Sequence, residues 1–258
     1  MNKKIVIGCP IYSRGWILPE WFKAIENQAF PLDDIGFVFV TAPNDTETKD
    51  VLYDWKAKHP EVTVFQTIDV EERHEAHGPT SRIWTREKYY KMVDLRNHLL
   101  AAVSCLEPER FLSLDSDILL ENPQTLQRLY SLSSAMDVVS PLSYMYPKGG
   151  KYPSVMSWID FPGGPAKRML DRYPFGTTFK ADVVMAVKMM SKPVYENVRY
   201  RWHRQGEDLG FCAEAARLKF NLFCASDIYC PHIMYEYMLE DYKIKGDDRS
   251  PFKNLGAL

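Results

Sequence analysis

Two acidic residues one position apart, Asp115-Ser116-Asp117, close the apolar run Phe111-Leu112-Ser113-Leu114, and a second apolar run, Ile118-Leu119-Leu120, follows. Carboxylates set between buried stretches are costly to leave unpartnered, and a cation resolves that cost. Aspartate oxygens suit hard ions such as magnesium or manganese, whose open coordination positions a diphosphate can fill. The metal would neutralise charge on a departing nucleoside diphosphate. The same residues also fit a plainer reading, in which Asp115 caps a strand and Asp117 is a solvated turn residue. An aspartyl-phosphatase D-x-D-x-T pattern fits poorly, because Leu119 stands where the threonine belongs.

A second acidic pair, Glu207-Asp208, follows Gly206 and begins a stretch of small and apolar residues with helical character, Cys212 to Leu218. Carboxylates at a helix start are favoured by its dipole, which needs no function. The chemical alternative is a general base that takes a proton from an acceptor hydroxyl. Further on, Cys230-Pro231-His232 places a histidine at the close of an apolar run, either as a metal ligand or as an ordinary hydrogen-bonded side chain. His74-Glu75-Ala76-His77 does not match the zinc-protease motif, which needs two residues between Glu and the second His to bring both imidazoles to one helical face.

The elements that must position these groups alternate. Lys4 to Gly8, Gly36 to Thr41, Val62 to Ile68, Arg110 to Leu114 and Asp137 to Ser140 predict strands. Leu18 to Ala29, Thr46 to His59, Trp84 to Leu106 and a segment opened by Pro123 predict helices between them. That rhythm implies an α/β fold with a mostly parallel central sheet flanked by helices, in which ligands bind beyond the carboxyl ends of the strands. From Tyr144 to Phe175 the pattern loosens into a Gly/Pro-punctuated, aromatic-rich loop, read as functional or as cover for an aromatic core.

No linker-like stretch divides the 258 residues, so a single domain spanning 1–258 is expected, with a nucleotide-binding half (1–120), an acceptor and catalytic half (121–240) and a tail (241–258). A formal charge of −2 lacks the basic excess of a protein that grips duplex nucleic acid through its phosphates, so a nucleic-acid partner is not indicated. Five cysteines, an odd number with no C-x-x-C pair, argue against a disulfide framework and for reduced thiols in the cytoplasm. The apolar run after Lys4 ends at Pro10, too short for a signal core, and no stretch approaches the roughly 20 apolar residues of a membrane span.

In chain order these pieces resemble the family-2 glycosyltransferases and their relatives of the GT-A fold, from Ile5 to about His232. Cys9-Pro10-Ile11-Tyr12-Ser13-Arg14 is similar to the first-strand donor loop, and Asn44-Asp45-Thr46 to the segment that contacts the nucleotide base. Arg96-Asn97 resembles the pair beside the nucleotide, Ala181 to Val187 the acceptor-side strand, and Gly206-Glu207-Asp208 the catalytic E-D segment. Three departures stand out: the segment at Asn44 lacks the family's usual glycine, Asp182 stands where glycine is commoner, and the loop from Tyr144 to Phe175 has no counterpart in the family pattern. The resemblance implies a metal-dependent transferase moving a sugar from a nucleotide-sugar donor, most simply a UDP-sugar, to an acceptor hydroxyl. By that resemblance Asp117, Asp115 and His232 hold Mn²⁺ or Mg²⁺, while Pro10, Tyr12, Arg14, Asp45, Arg96, Asp115 and Ser116 line the donor site. Asp208, with Glu207 as second choice, is the base of an inverting displacement, although retaining relatives share the fold. A sugar-phosphate nucleotidyltransferase would carry a Gly-rich loop where this chain has Gly8-Cys9-Pro10-Ile11-Tyr12. An inactive sugar- or nucleotide-binding module is the non-enzymatic alternative.

Overall fold

A computed structural model describes residues 3–70, 85–145, 152–169 and 173–246. His74 to His77, and part of the Tyr144 to Phe175 segment, lie outside the described residues. In the first half, β1 (Ile5–Pro10), α1 (Leu18–Glu26), β2 (Ile35–Thr41) and α2 (Thr46–Lys58) precede β3 (Phe65–Asp69), α3 (Arg86–Leu106) and β4 (Arg110–Leu114). Next come α4 (Thr125–Leu132), β5 (Val138–Leu142), β6 (Tyr144–Met145), β7 (Tyr152–Pro153), β8 (Val155–Trp158) and β9 (Ala166–Arg168). The chain then runs through β10 (Thr178–Ala181), β11 (Val183–Val184), β12 (Val187–Ser191) and α5 (Lys192–Asn197) to α6 (Glu207–Arg217), β13 (Leu222–Tyr229) and α7 (Glu236–Lys245).

One eight-stranded sheet has the order β10-β13-β5-β12-β4-β1-β2-β3, so both halves of the chain contribute to it. Six strands run in one direction, and only β12 and β10 run against them. Because helices cover both faces, β1 and β2 are apolar at almost every position rather than alternating. Ile5, Ile7, Phe37 and Phe39 face a core completed by α1, α2 and α4, with Trp55 stacked on Phe22 at 4.0 Å. Val6, Val38 and Val40 face the other core, built from α3, α5 and α6. Each such buried side chain contributes roughly 1.5–3 kcal/mol. Gly8 lets α3 approach the sheet: a Cβ there would meet Phe111 Cε2 at 2.6 Å and Leu99 Cδ1 at 2.8 Å.

Some expectations shift. Pro123 precedes its helix instead of opening it, because Asn122 Oδ1 accepts the Gln124 N–H at 2.9 Å and the first helical residue is Thr125. The segment read as a loose loop holds two antiparallel pairings, β6 with β7 and β8 with β9, and β11 joins the second through β8. The expected tail begins as the end of α7.

Candidate active site

The tip of β4 is built from its neighbours. The Asp115 N–H donates to Ala186 C=O at 3.1 Å, and the Asp115 carbonyl accepts from Trp21 Nε1 at 3.3 Å. Ala186 sits in the left-handed region (φ 69°) between β11 and β12, and its own N–H points to Asp208 Oδ2 at 3.4 Å. A single residue therefore joins the two acidic motifs that lie far apart in the sequence. Beyond the tip, the chain crosses the segment leaving β13: Ile118 bridges His232, Ile233 N–H donates to Asp117 C=O at 2.7 Å, and Leu119 N–H to Pro231 C=O at 3.0 Å.

That crossing brings Asp117 and His232 together, with Oδ1 and Nε2 3.2 Å apart and both side chains buried. Arg14 Nη2 lies 3.8 Å from the other Asp117 oxygen. Adjacent ligands of an octahedral ion with bonds of about 2.1 Å sit about 3.0 Å apart, so this oxygen–nitrogen pair fits a divalent cation. Asp115 does not join them. Its Oδ1 accepts from Arg96 Nη2 at 2.5 Å, and Arg96 Nη1 donates to Ser113 Oγ at 3.0 Å. Among the described residues no three acidic, histidine or cysteine side chains are grouped to hold a metal. Of the three expected ligands, Asp117 and His232 stand together, while the buried Arg96 guanidinium engages Asp115.

Arg96 comes from the middle of α3, and Asn97 next to it clamps the chain before α6: its side chain accepts from Tyr200 N–H at 2.9 Å and donates to Tyr200 C=O at 3.1 Å. Gly206 (φ 126°) then turns the backbone into α6, so Glu207 and Asp208 open that helix. Glu207 Oε1 is 3.9 Å from Arg96 Nε, and Asp208 Oδ1 is 2.5 Å from Lys188 Nζ. Lys188 is wholly buried (0% exposed).

The two carboxylates are driven apart. Burial, then the Asp208 charge, pushes Glu207 up to about 7. Burial would also raise Asp208, but the Lys188 ammonium outweighs it and holds that carboxyl below its usual range. Asp115 is raised by burial despite Arg96. For Lys188 itself, burial opposes the charge and Asp208 overcomes it. Lys188 was missed in the sequence; the signal was a single charge inside the apolar run Val187 to Met190.

The donor-loop residues assemble partly by way of Asp45. This N-cap of α2 accepts from Thr48 N–H at 3.3 Å and from Ser13 N–H at 2.7 Å, while Arg14 N–H donates to Thr48 Oγ1 at 3.0 Å. One Asp45 oxygen therefore caps α2 while the other fixes the loop after Pro10, where Ser13 is left-handed (φ 51°). Tyr12 is exposed, with Lys91 Nζ 6.0 Å over its ring, and Ser116 is buried.

This sheet order, with a site at the carboxyl ends of β1 and β4, defines a GT-A fold of the glycosyltransferase type. The sequence profile described as glycosyltransferase family 25, N-terminal domain, matches residues 3–157, and the chain belongs to that family. A glycosyltransferase 25 family member of Aedes aegypti is 26% identical over 145 residues, which cover 55% of this chain and 23% of that protein. A mannosyltransferase of Pyrobaculum calidifontis, solved with GDP-Man and Mn²⁺, superposes with a TM-score of 0.58 at 14% identity, over 90% of this chain and 57% of that one. GalNAc-T7, solved with UDP, GalNAc and Mn²⁺, gives 0.61 at 12% identity over 90% and 44%. S. aureus TarS with UDP-GlcNAc gives 0.53 at 15% over 92% and 60%. The chain thus spans a quarter of the matched relative's length and about half of these structures. No helix among the described residues is long and apolar enough to cross a membrane.

Proposed function

We propose that the chain transfers a sugar from a nucleotide-sugar donor, most simply a UDP-sugar, to an acceptor hydroxyl, with a divalent cation held by Asp117 and His232. The observation that carries this reading is the Asp117–His232 pair at 3.2 Å, set beside Arg14 at the carboxyl end of β4. When bound, the cation would supply Lewis acidity to the departing diphosphate. Arg14 adds a donor for the phosphates, and the Tyr12 to Arg14 loop, fixed by Asp45, frames the nucleotide. Arg96 orients Asp115 through its hydrogen bond, which holds the strand tip in place.

Asp208 is the base in an inverting displacement, its carboxylate aimed by Lys188 and by the Ala186 N–H. One observation favours a second reading, with Glu207 as the base: it sits at about 7, where proton uptake at neutrality is most efficient. The free cysteines, four of them buried and Cys105 exposed, fit a reducing compartment such as the cytoplasm. Release of nucleoside diphosphate from a panel of nucleotide-sugars, with manganese present, tests the proposal. Asp117→Asn should lower that release at least about 100-fold, because the cation supplies several kcal/mol of charge stabilisation, with a melting transition close to the parent's. Undiminished release in this variant would overturn the metal role.

A further inference from the structure

Along the outer side of α6 runs a cavity of about 410 Å³, within the size range of small-ligand sites of roughly 300–1,000 Å³. Trp202, His203, Arg201, Glu214 and Arg217 line it, with Pro162 and Gly163 of the turn between β8 and β9 closing the far wall. Gly210 and Glu214, on the cavity side, stand three and seven residues beyond Glu207, on one face of the helix. Glu214 is therefore about 10 Å further along the helix than the carboxylate at its start.

The walls are built, not incidental. Arg201 C=O would lie only 1.8 Å from a Cβ on Gly210, so the missing side chain is what lets the Arg201–Trp202 segment lie against α6. His203 fixes the opposite wall: its Nδ1 accepts from Gln205 N–H at 3.1 Å, which leaves Nε2 to donate to Gly164 C=O at 3.1 Å. Trp202 is 40% exposed, yet its ring is oriented by Tyr90, parallel within 19° at 5.9 Å, and by the Arg86 guanidinium at 5.3 Å. Glu214 receives two bonds from Arg217, at 2.9 and 3.0 Å, and one from Arg201 at 3.4 Å, so it stays ionised below the usual carboxylate range.

We infer that this cavity is an acceptor subsite for a carbohydrate, holding the second sugar ring of a glycan whose first ring lies at Glu207 and Asp208. An indole face matches the C–H face of a pyranose, while paired arginine donors and a carboxylate acceptor match ring hydroxyls. Beside it, the Ala166 N–H and C=O of β9 are both taken by Gln205, each at 2.9 Å, so that residue offers no backbone pairing to an extended peptide.

The inference rests on the proposed transferase activity, so the experiment separates the two. The full chain is first assayed for donor hydrolysis to water, with manganese and a nucleotide-sugar panel; no hydrolysis would overturn the transferase reading itself. With hydrolysis established, transfer to lactose, maltose and cellobiose is compared with transfer to galactose and glucose. The expected result is a KM at least tenfold lower for one disaccharide than for its monosaccharide. Trp202→Ala should collapse that ratio towards one by raising the disaccharide KM, and Trp202→Phe should preserve it. Equal KM values for both acceptor sizes in the parent protein, an undiminished preference in Trp202→Ala, or transfer to peptide or lipid hydroxyls alone would overturn the subsite.

Discussion

Replacing Glu207 by glutamine should stabilise the protein at alkaline pH and change it little in acid. In the folded chain this carboxyl is raised to about 7 by burial and by the neighbouring Asp208 charge; in the unfolded chain it titrates near the ordinary value of about 4.3. Between those two points the folded state holds a proton that the unfolded state has released. Stability therefore falls as pH rises through this window, and above pH 7 the full penalty is present. At 1.36 kcal/mol for each pKa unit, and discounted for the coupling to Asp208 and the nearby Arg96, the penalty is about 3 kcal/mol, of which about 2 kcal/mol accrues between pH 5 and pH 8. Glutamine keeps the shape of the protonated acid and cannot ionise. Urea unfolding at the two pH values should show the gap between Glu207→Gln and the parent widening by that amount, with m unchanged. Parallel stability curves would refute the reasoning, since they would mean that Glu207 is solvated or neutralised where it stands. The same group sets an expectation for turnover. If Glu207 is the base, the acidic limb of the pH–rate profile lies near 7; if Asp208 is the base, that limb lies below the usual carboxylate range.

The Lys188–Asp208 pair, 0% and 14% exposed, should be costly to break from one side. Lys188→Met leaves a buried carboxylate unpaired and should cost about 3–5 kcal/mol in urea unfolding, while the Lys188→Met/Asp208→Asn double variant should recover most of that loss; equal losses in both would deny the coupling. Gly210→Ala puts a methyl 1.8 Å from Arg201 C=O and should cost about 3 kcal/mol or more, lowering Tm by roughly 6–12 °C. A shift of only a degree or so would show that the Arg201–Trp202 segment is not held against α6.

The scaffold was largely legible because its signal is local. Buried parallel strands such as Ile35–Thr41 read as unbroken apolar runs, and Thr46–Lys58 announces itself through the Asp45 cap. The D-x-D segment, the E-D pair and His232 were equally visible as residue types. What the sequence did not disclose was partnership. That Arg96 holds Asp115 depends on α3 packing across β1 and β2 beside β4, and that Lys188 meets Asp208 depends on β12 pairing antiparallel with β4. Both are long-range consequences of sheet order, which no spacing along the chain encodes. The segment after Tyr144 hid its strands for another reason: Tyr152–Pro153, Ala166–Arg168 and Val183–Val184 are pieces of two or three residues, too short to show a period.

These partnerships bear on why a cation is expected with the donor. Arg14, Arg96 and Lys188 face the carboxyl groups of Asp115, Asp117 and Asp208, and Glu207 adds negative charge as it ionises near neutrality. A diphosphate entering that cleft finds its strongest buried cations already engaged, Arg96 by Asp115 and Lys188 by Asp208. Arg14, at 3.8 Å from Asp117, is loosely held and able to turn to a phosphate. One guanidinium does not balance a diphosphate, and Coulomb repulsion from Asp117 in a partly desolvated cleft would be large. A divalent ion held by Asp117 and His232 would supply the positive charge that the phosphates need there. The charge arithmetic of the cleft, more than the D-x-D spelling, is the physical reason to expect donor affinity to depend on metal.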